Sequence, residues 1–263
     1  MLSTVIVNTG IWVCKKLASG EDFCRFAWRC IRAMLQPQHY NSAVRDVLMM
    51  QIYFTALQIL LPFLLFSVLF ASFVLGIILE KIKEMGLTDL LGEILAGVIF
   101  IEIAPLLTVF LLAQRSGSAI NAEIAVMKVH NEIKALQSFD IDPFVYLFVP
   151  RILAIMFCVV VFNILFSIIV FSVGSVFSFG ILGLAYEQFS DIFVAAIDWQ
   201  DILLVFFKLL IFGFFIAFIP IYNGYHVSIQ KLTDIPIAVL NGMVHLFVAI
   251  ATIETCSLVL RFI

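Results

Sequence analysis

The sequence predicts an all-α integral membrane protein with five transmembrane helices, and three observations carry that reading. Of 263 residues, 63% are hydrophobic and only 13% are charged, against about 25% charged in soluble domains. The apolar residues gather in five runs, 54–79, 94–113, 152–177, 202–222 and 235–260, each near the ~20 residues needed to cross hydrocarbon. None of these runs shows the dyad alternation of an outer-membrane barrel strand.

Composition also narrows the function. Net charge is −3 and no long basic run exists, which argues against a nucleic-acid partner. Cys14, Cys24, Cys30, Cys158 and Cys256 form no CxxC pair and read as small buried or interfacial thiols. The chain lacks a Gly-Lys dipeptide, so it has no phosphate-binding loop of the GxxxxGK[ST] type. Any work done with ATP falls to a partner.

Along the chain, residues 1–50 read as a cytoplasmic or interfacial amino-terminal portion and 51–263 as the five-helix transmembrane domain. The amino terminus is no cleavable signal, because Asn8 interrupts its apolar start and the positive charges follow rather than precede it. Within 21–35, Phe23, Ala27, Ile31, Met34 and Leu35 recur at helical spacing, with Arg25, Arg29 and Arg32 elsewhere on the wheel. That pattern fits an amphipathic helix in the membrane surface, or a helix packed on the rest of the cytoplasmic face. The first span holds Gln58 and a bending Pro62. The third runs into "SVGSVFSFGILGLA", a small-residue stretch expected to dip back along the outer interface.

Basic residues set the orientation. Residues 1–50, the central block and the fourth loop hold Lys15, Lys16, Arg25, Arg29, Arg32, Arg45, Arg115, Lys128, Lys134, Arg151 and Lys231. The alternate segments hold only Lys81, Lys83 and Arg261, while Glu187, Asp191, Asp198 and Asp201 make the third loop acidic. The amino terminus is therefore expected in the cytoplasm and the carboxyl terminus outside.

The block "MKVHNEIKALQSFDIDP" at 127–143 reads like a soluble surface between two apolar runs. Val126, Val129, Ile133 and Leu136 fall on one helical stripe, with Lys128, Glu132 and Lys134 off it or at its edges. The residue before Pro143 is biased out of helix, which ends the segment. Spacing alone leaves open whether this chain or another subunit covers the apolar stripe.

"QRSGSAINAEIAVMKVHNEIKALQSFDIDPFVYLFVPR" (114–151) closely resembles the signature region of the MlaE/YrbE-type permeases, the membrane subunits of MCE lipid ABC transporters. Arg115, Gly117, Ser118, Ala119, Glu123, Met127, Lys128, Leu136, Asp142, Pro143, Tyr146, Pro150 and Arg151 carry the likeness, with thinner matches at 51–53, 198–199 and 223–225. The resemblance implies a coupling helix at about 120–140 that sits in a groove of a cytoplasmic ABC ATPase. Glu123, Lys128, Glu132, Ile133, Lys134 and Leu136 are the candidate contacts, and Arg115, Gly117, Asp142, Pro143 and Arg151 the signature residues of structural role. It further implies a homodimer, an MCE-domain protein on the outer side, a STAS-type regulator, a lipid substrate, and ATP and Mg bound only by the partner ATPase. The chain departs from the family where "IEIAP" (101–105) stands for RELGP, so that Ile101 replaces an Arg. Gln114 also stands for Gly, and "TDIPIAVLNG" for a GRATT-like segment.

Three ionisable residues lie inside apolar runs: Glu102, Lys208 and Glu254. Each would cost about 2.5–3.5 kcal/mol if left alone at a helix centre. At a 1.5 Å rise per residue, they sit about 12, 9 and 9 Å below the outer ends of their runs, so one network in the outer half of the bilayer is expected. Two acids facing one lysine leave a net charge of −1. The network either only ties helices together or also gates a lipid path. The lone His226 and His245 suggest no metal site, and Ser116 and Ser118 have no base beside them, so no catalytic residue is expected. The rival reading is a proton-coupled secondary transporter that uses Glu102 and Glu254 as carriers.

Overall fold

The computed structural model describes residues 20–36, 41–226 and 235–262. Cys14, Lys15, Lys16 and Lys231 lie outside the described residues. The chain forms a helix over 20–35 (α1), then Ser42–Met85 (α2), Leu91–Val129 (α3), Glu132–Ser138 (α4), Phe144–Leu182 (α5), Tyr186–Ala195 (α6), Trp199–His226 (α7) and Ile235–Phe262 (α8). No strand occurs among the described residues. Five of these helices, α2, α3, α5, α7 and α8, are long and apolar enough to cross a membrane.

Each of the first four spans outruns its apolar stretch. α2, at 44 residues, measures about 66 Å against roughly 30 Å of hydrocarbon, so its ends stand in headgroups and water. A helix suits hydrocarbon because it satisfies its own backbone groups. Ser67, Ser72, Ser167, Thr252 and Thr255 follow the same logic, donating their hydroxyls to the carbonyls four residues earlier. Gly86 ends α2 in a left-handed conformation (φ 68°), with Leu87 N–H donating to Ile82 O at 3.0 Å.

α5 is the central post, packed most extensively on α2 and then on α7. Phe63 meets Phe162 at 4.7 Å between ring centroids. At the α5–α7 crossing the backbones nearly touch, because a Cβ on Gly213 would lie 2.6 Å from Met156 Cα. Apolar lipid gives helices little hydrophobic reason to associate, so such close packing carries much of the fold. Gly213→Ala is expected to cost about 1–3 kcal/mol by overpacking, seen as a lower unfolding midpoint in detergent.

Three local expectations are corrected. The stretch 172–182 does not dip back: it continues α5 as regular helix to Leu182, and Gly183 (φ 76°) stops it. The element that folds back is α6, whose Phe189 and Phe193 are buried and pack against Phe171. In α1 the packed stripe is Phe26, Cys30 and Ala33, flanked by Phe23, Ala27 and Met34, while Ile31 and Leu35 point outward beside Trp28. Both faces of α1 are apolar, and the Phe26 face wins because Phe144, Phe148, Tyr222 and Tyr225 form an aromatic socket around that ring. Lastly, 126–136 is not one helix. Asn131 takes a left-handed conformation (φ 58°) that separates α3 from α4, a backbone state in which Asn is enriched. The stripe read from spacing is thereby divided, with Val126 exposed and Ile133 buried.

Burial in the socket also sets thiol chemistry. Cys30 has no accessible surface and its thiol is pushed up to about 12 by burial, whereas Cys24 is exposed. At neutral pH maleimide is expected to label a variant keeping only Cys24 and to leave one keeping only Cys30 unmodified until α1 is detached.

Candidate functional site: an intramembrane ion cluster and a hydrophilic hairpin

The three intramembrane charges meet. Glu102 lies in a π-helical stretch of α3, Leu95–Ile103, a widened turn of the kind frequent at functional sites. Lys208 of α7 is almost wholly enclosed and donates to Glu102 Oε2 at 2.6 Å and to Glu254 Oε1 of α8 at 2.9 Å. Depth counted from the sequence thus placed them together.

The expected net charge of −1 is wrong. Arg261, in the last turn of α8, reaches Glu102 Oε1 at 3.1 Å and the carbonyl of Gly97 at 3.0 Å. Two cations therefore balance two carboxylates. Gly97 makes room for the guanidinium, since a Cβ there would lie 3.3 Å from Arg261 Nη2. Ile101, at the position of the family's Arg, is itself buried, and the second positive charge arrives from another helix. Glu254 Oε2 is buried with no hydrogen-bond partner among the described residues.

On the other side, the signature residues prove to be joints. Arg151 at the start of α5 is buried, donates to Leu147 O and pairs with Glu123 of α3 at 2.5 Å. Lys128 of α3 donates to Tyr225 O of α7 and lies over the Tyr225 ring. Asp142 Oδ1 accepts from Phe144 N–H at 2.9 Å, fixing the turn that Pro143 begins. Gly117 lies in the second π-helical stretch of α3, Ala113–Gly117, against Leu246. Ser118 hydrogen-bonds backbone carbonyls of its own helix. Among the described residues no group of three His, Cys, Asp or Glu could hold a metal ion.

The candidate coupling residues divide into two kinds. Glu123 and Lys128 are engaged in the joints, and Ile133 is buried against this chain. Glu132 and Lys134 are exposed and Leu136 is half-buried. Spacing missed Phe139, 77% exposed in the turn after α4, and its exposed neighbour Ile141. Their signal was available as two apolar residues interleaved with the acids of "FDID".

Five long apolar helices, three of them tied by an ion cluster and two joined by a hydrophilic hairpin, define a multi-pass helical membrane protein. Residues 48–260 match the family described as Permease MlaE, and the chain belongs to that family. It is 31% identical over 181 residues to the intermembrane phospholipid transport system permease protein MlaE of Haemophilus influenzae, covering 68% of this chain and 69% of that protein. A probable ABC transporter permease protein of Synechocystis is 35% identical over 139 residues, 51% of each chain. Another, from Rickettsia typhi, is 25% identical over 230 residues, 86% of each.

Proposed function

We propose that this permease is the membrane subunit of an ABC transporter that moves lipids, phospholipids foremost, between an inner membrane and an MCE-protein channel. It works as a homodimer driven by a separate cytoplasmic ATPase, which binds ATP and Mg, and a STAS-type protein regulates that ATPase. The amino terminus lies in the cytoplasm and the carboxyl terminus in the periplasm. The chain breaks no bond in the lipid and has no catalytic residue of its own. The Haemophilus relative's description as a phospholipid transport permease supports the substrate.

The observation that carries the mechanism is the α4 hairpin. It joins two 39-residue helices, α3 and α5, which are cross-tied by the Glu123–Arg151 pair. A push on α4 therefore reaches both rods together rather than being lost in a loose loop. Glu132, Lys134, Phe139 and Ile141 give an ATPase groove both charge and apolar surface to grip. α2 and α8 are the spans least covered by their own chain, 22% buried against 44–50% for the others. That suits a role for α2 and α8 in lining a cavity between two copies. α1, packed through Phe26, turns Trp28, Ile31 and Leu35 outward among its arginines, as a helix at the membrane surface would.

Purification from native membranes tests the reading: an ATPase should accompany the chain, and a photocrosslinker at Phe139 should capture it. Absence of a nucleotide hydrolase from both experiments, with lipid still crossing, overturns it. The orphaned Oε2 of Glu254 is the feature favouring a proton-coupled carrier. Such a carrier would purify alone and respond to a pH gradient without ATP.

A further inference from the structure

We propose that Arg115 is the core of a binding site for the phosphate of a phospholipid in the cytoplasmic leaflet, set between α2 and α3. The inference deepens the transport reading above and rests on it for the source of the ligand.

Arg115 stands where α3 leaves its apolar run, with its side chain exposed. Among the described residues its guanidinium makes no ion pair and no hydrogen bond. The carboxylate that lines the same cleft, Glu123, is half exposed and pairs through Oε1 with Arg151. The side chain instead borders two adjoining clefts. One, of about 390 Å³, mixes Gln51, Thr55, Gln58 and the Glu123 carboxylate with Met50 and Phe54. The other, of about 350 Å³, is lined by Pro62, Phe63 and Leu111 with Gln114 and Ser118. Arg115 is shared by both.

Both clefts set polar side chains beside apolar ones, as an amphiphile requires. Arg115 follows the apolar run 94–113 by two residues, and Gln58 stands four residues into the run 54–79, so both mark the inner edge of the hydrocarbon. Lipid phosphates lie just beyond that edge, within the ~40–45 Å that includes headgroups. A guanidinium offers a planar fork that suits two phosphate oxygens. Amides and hydroxyls of Gln51, Thr55 and Gln58 can accept from or donate to a glycerol headgroup, and an acyl chain can run beside Phe63 and Leu111. A phosphodiester joined to acyl chains uses both the polar and the apolar side chains of these clefts, whereas free phosphate uses only the polar ones.

The test measures affinity in the purified transporter with its ATPase, using short-chain phosphatidylglycerol, inorganic phosphate and chain-matched diacylglycerol as probes. Arg115→Gln should weaken phosphatidylglycerol binding about tenfold or more, the loss of a charge-assisted pair, and leave diacylglycerol binding unchanged. Arg115→Lys should retain part of the affinity, and Gln58→Leu should weaken it by less. Unchanged phosphatidylglycerol affinity in Arg115→Gln overturns the site. So does equal competition by inorganic phosphate, which would make it a free-anion site. Dissociation of the dimer with lipid affinity intact would instead assign the guanidinium to a second copy. Should the wild-type complex bind phosphatidylglycerol through Arg115 yet move no lipid with ATP, the transport reading fails and the site stands.

Discussion

Lys208→Ala is expected to abolish ATP-driven lipid movement and to lower stability by about 3–5 kcal/mol, the cost of breaking a buried ion pair. The size follows from what is left behind. Glu254 would lose its one observed cation, and Glu102 would keep only Arg261. Two carboxylates would then face one partly exposed guanidinium among the apolar helices. Lys208→Ala combined with Glu254→Gln removes one charge of each sign and should recover most of the stability. Lipid flux into acceptor vesicles then separates the two roles left open by the sequence. Flux that returns with stability makes the cluster a brace; flux that stays lost makes it part of the lipid path. Unimpaired flux in Lys208→Ala removes the cluster from the mechanism.

The second large effect concerns the Glu123–Arg151 joint, and it is asymmetric. Arg151 is 3% exposed at its side chain while Glu123 is 50% exposed. Glu123→Ala strands a buried guanidinium, whereas Arg151→Met leaves a carboxylate that water can solvate and fills the vacated volume. Glu123→Ala should therefore be the more damaging, approaching the upper end expected for an uncompensated charge only if water cannot enter. Both should uncouple the assembly, with ATP hydrolysed but lipid flux reduced, because α3 no longer moves with α5. Parallel measurements of phosphate release and lipid transfer check this. Equal losses of both activities would mean that the pair only holds the fold.

The spans were legible because a 20-residue apolar run has few alternatives, and the ion cluster was legible because helical rise converts position into depth. Arg261 was missed for the same reason. It follows the last run and was assigned to water by orientation counting, yet an arginine is long enough to reach back to Glu102 and Gly97. The break at Asn131 was hidden because its flanking residues keep a helical period on both sides. The rotation of α1 could not be read from α1 at all, since residues more than 100 positions away on α5 and α7 build the socket for Phe26. The signature residues were found by likeness, but their work as joints needed the third dimension.

The cross-tie near one end of α3 has a mechanical consequence. Measured along the helix, Val129 lies about 9 Å from Glu123 toward the α4 hairpin and Glu102 about 31 Å away in the other direction. A rod pinned at Glu123 acts as a seesaw with unequal arms, so a stroke of about 1 Å at the inner end sweeps the outer charges through roughly three times that distance. Under the proposed mechanism, a small closure of the ATPase would pull Glu102 out of contact with Lys208.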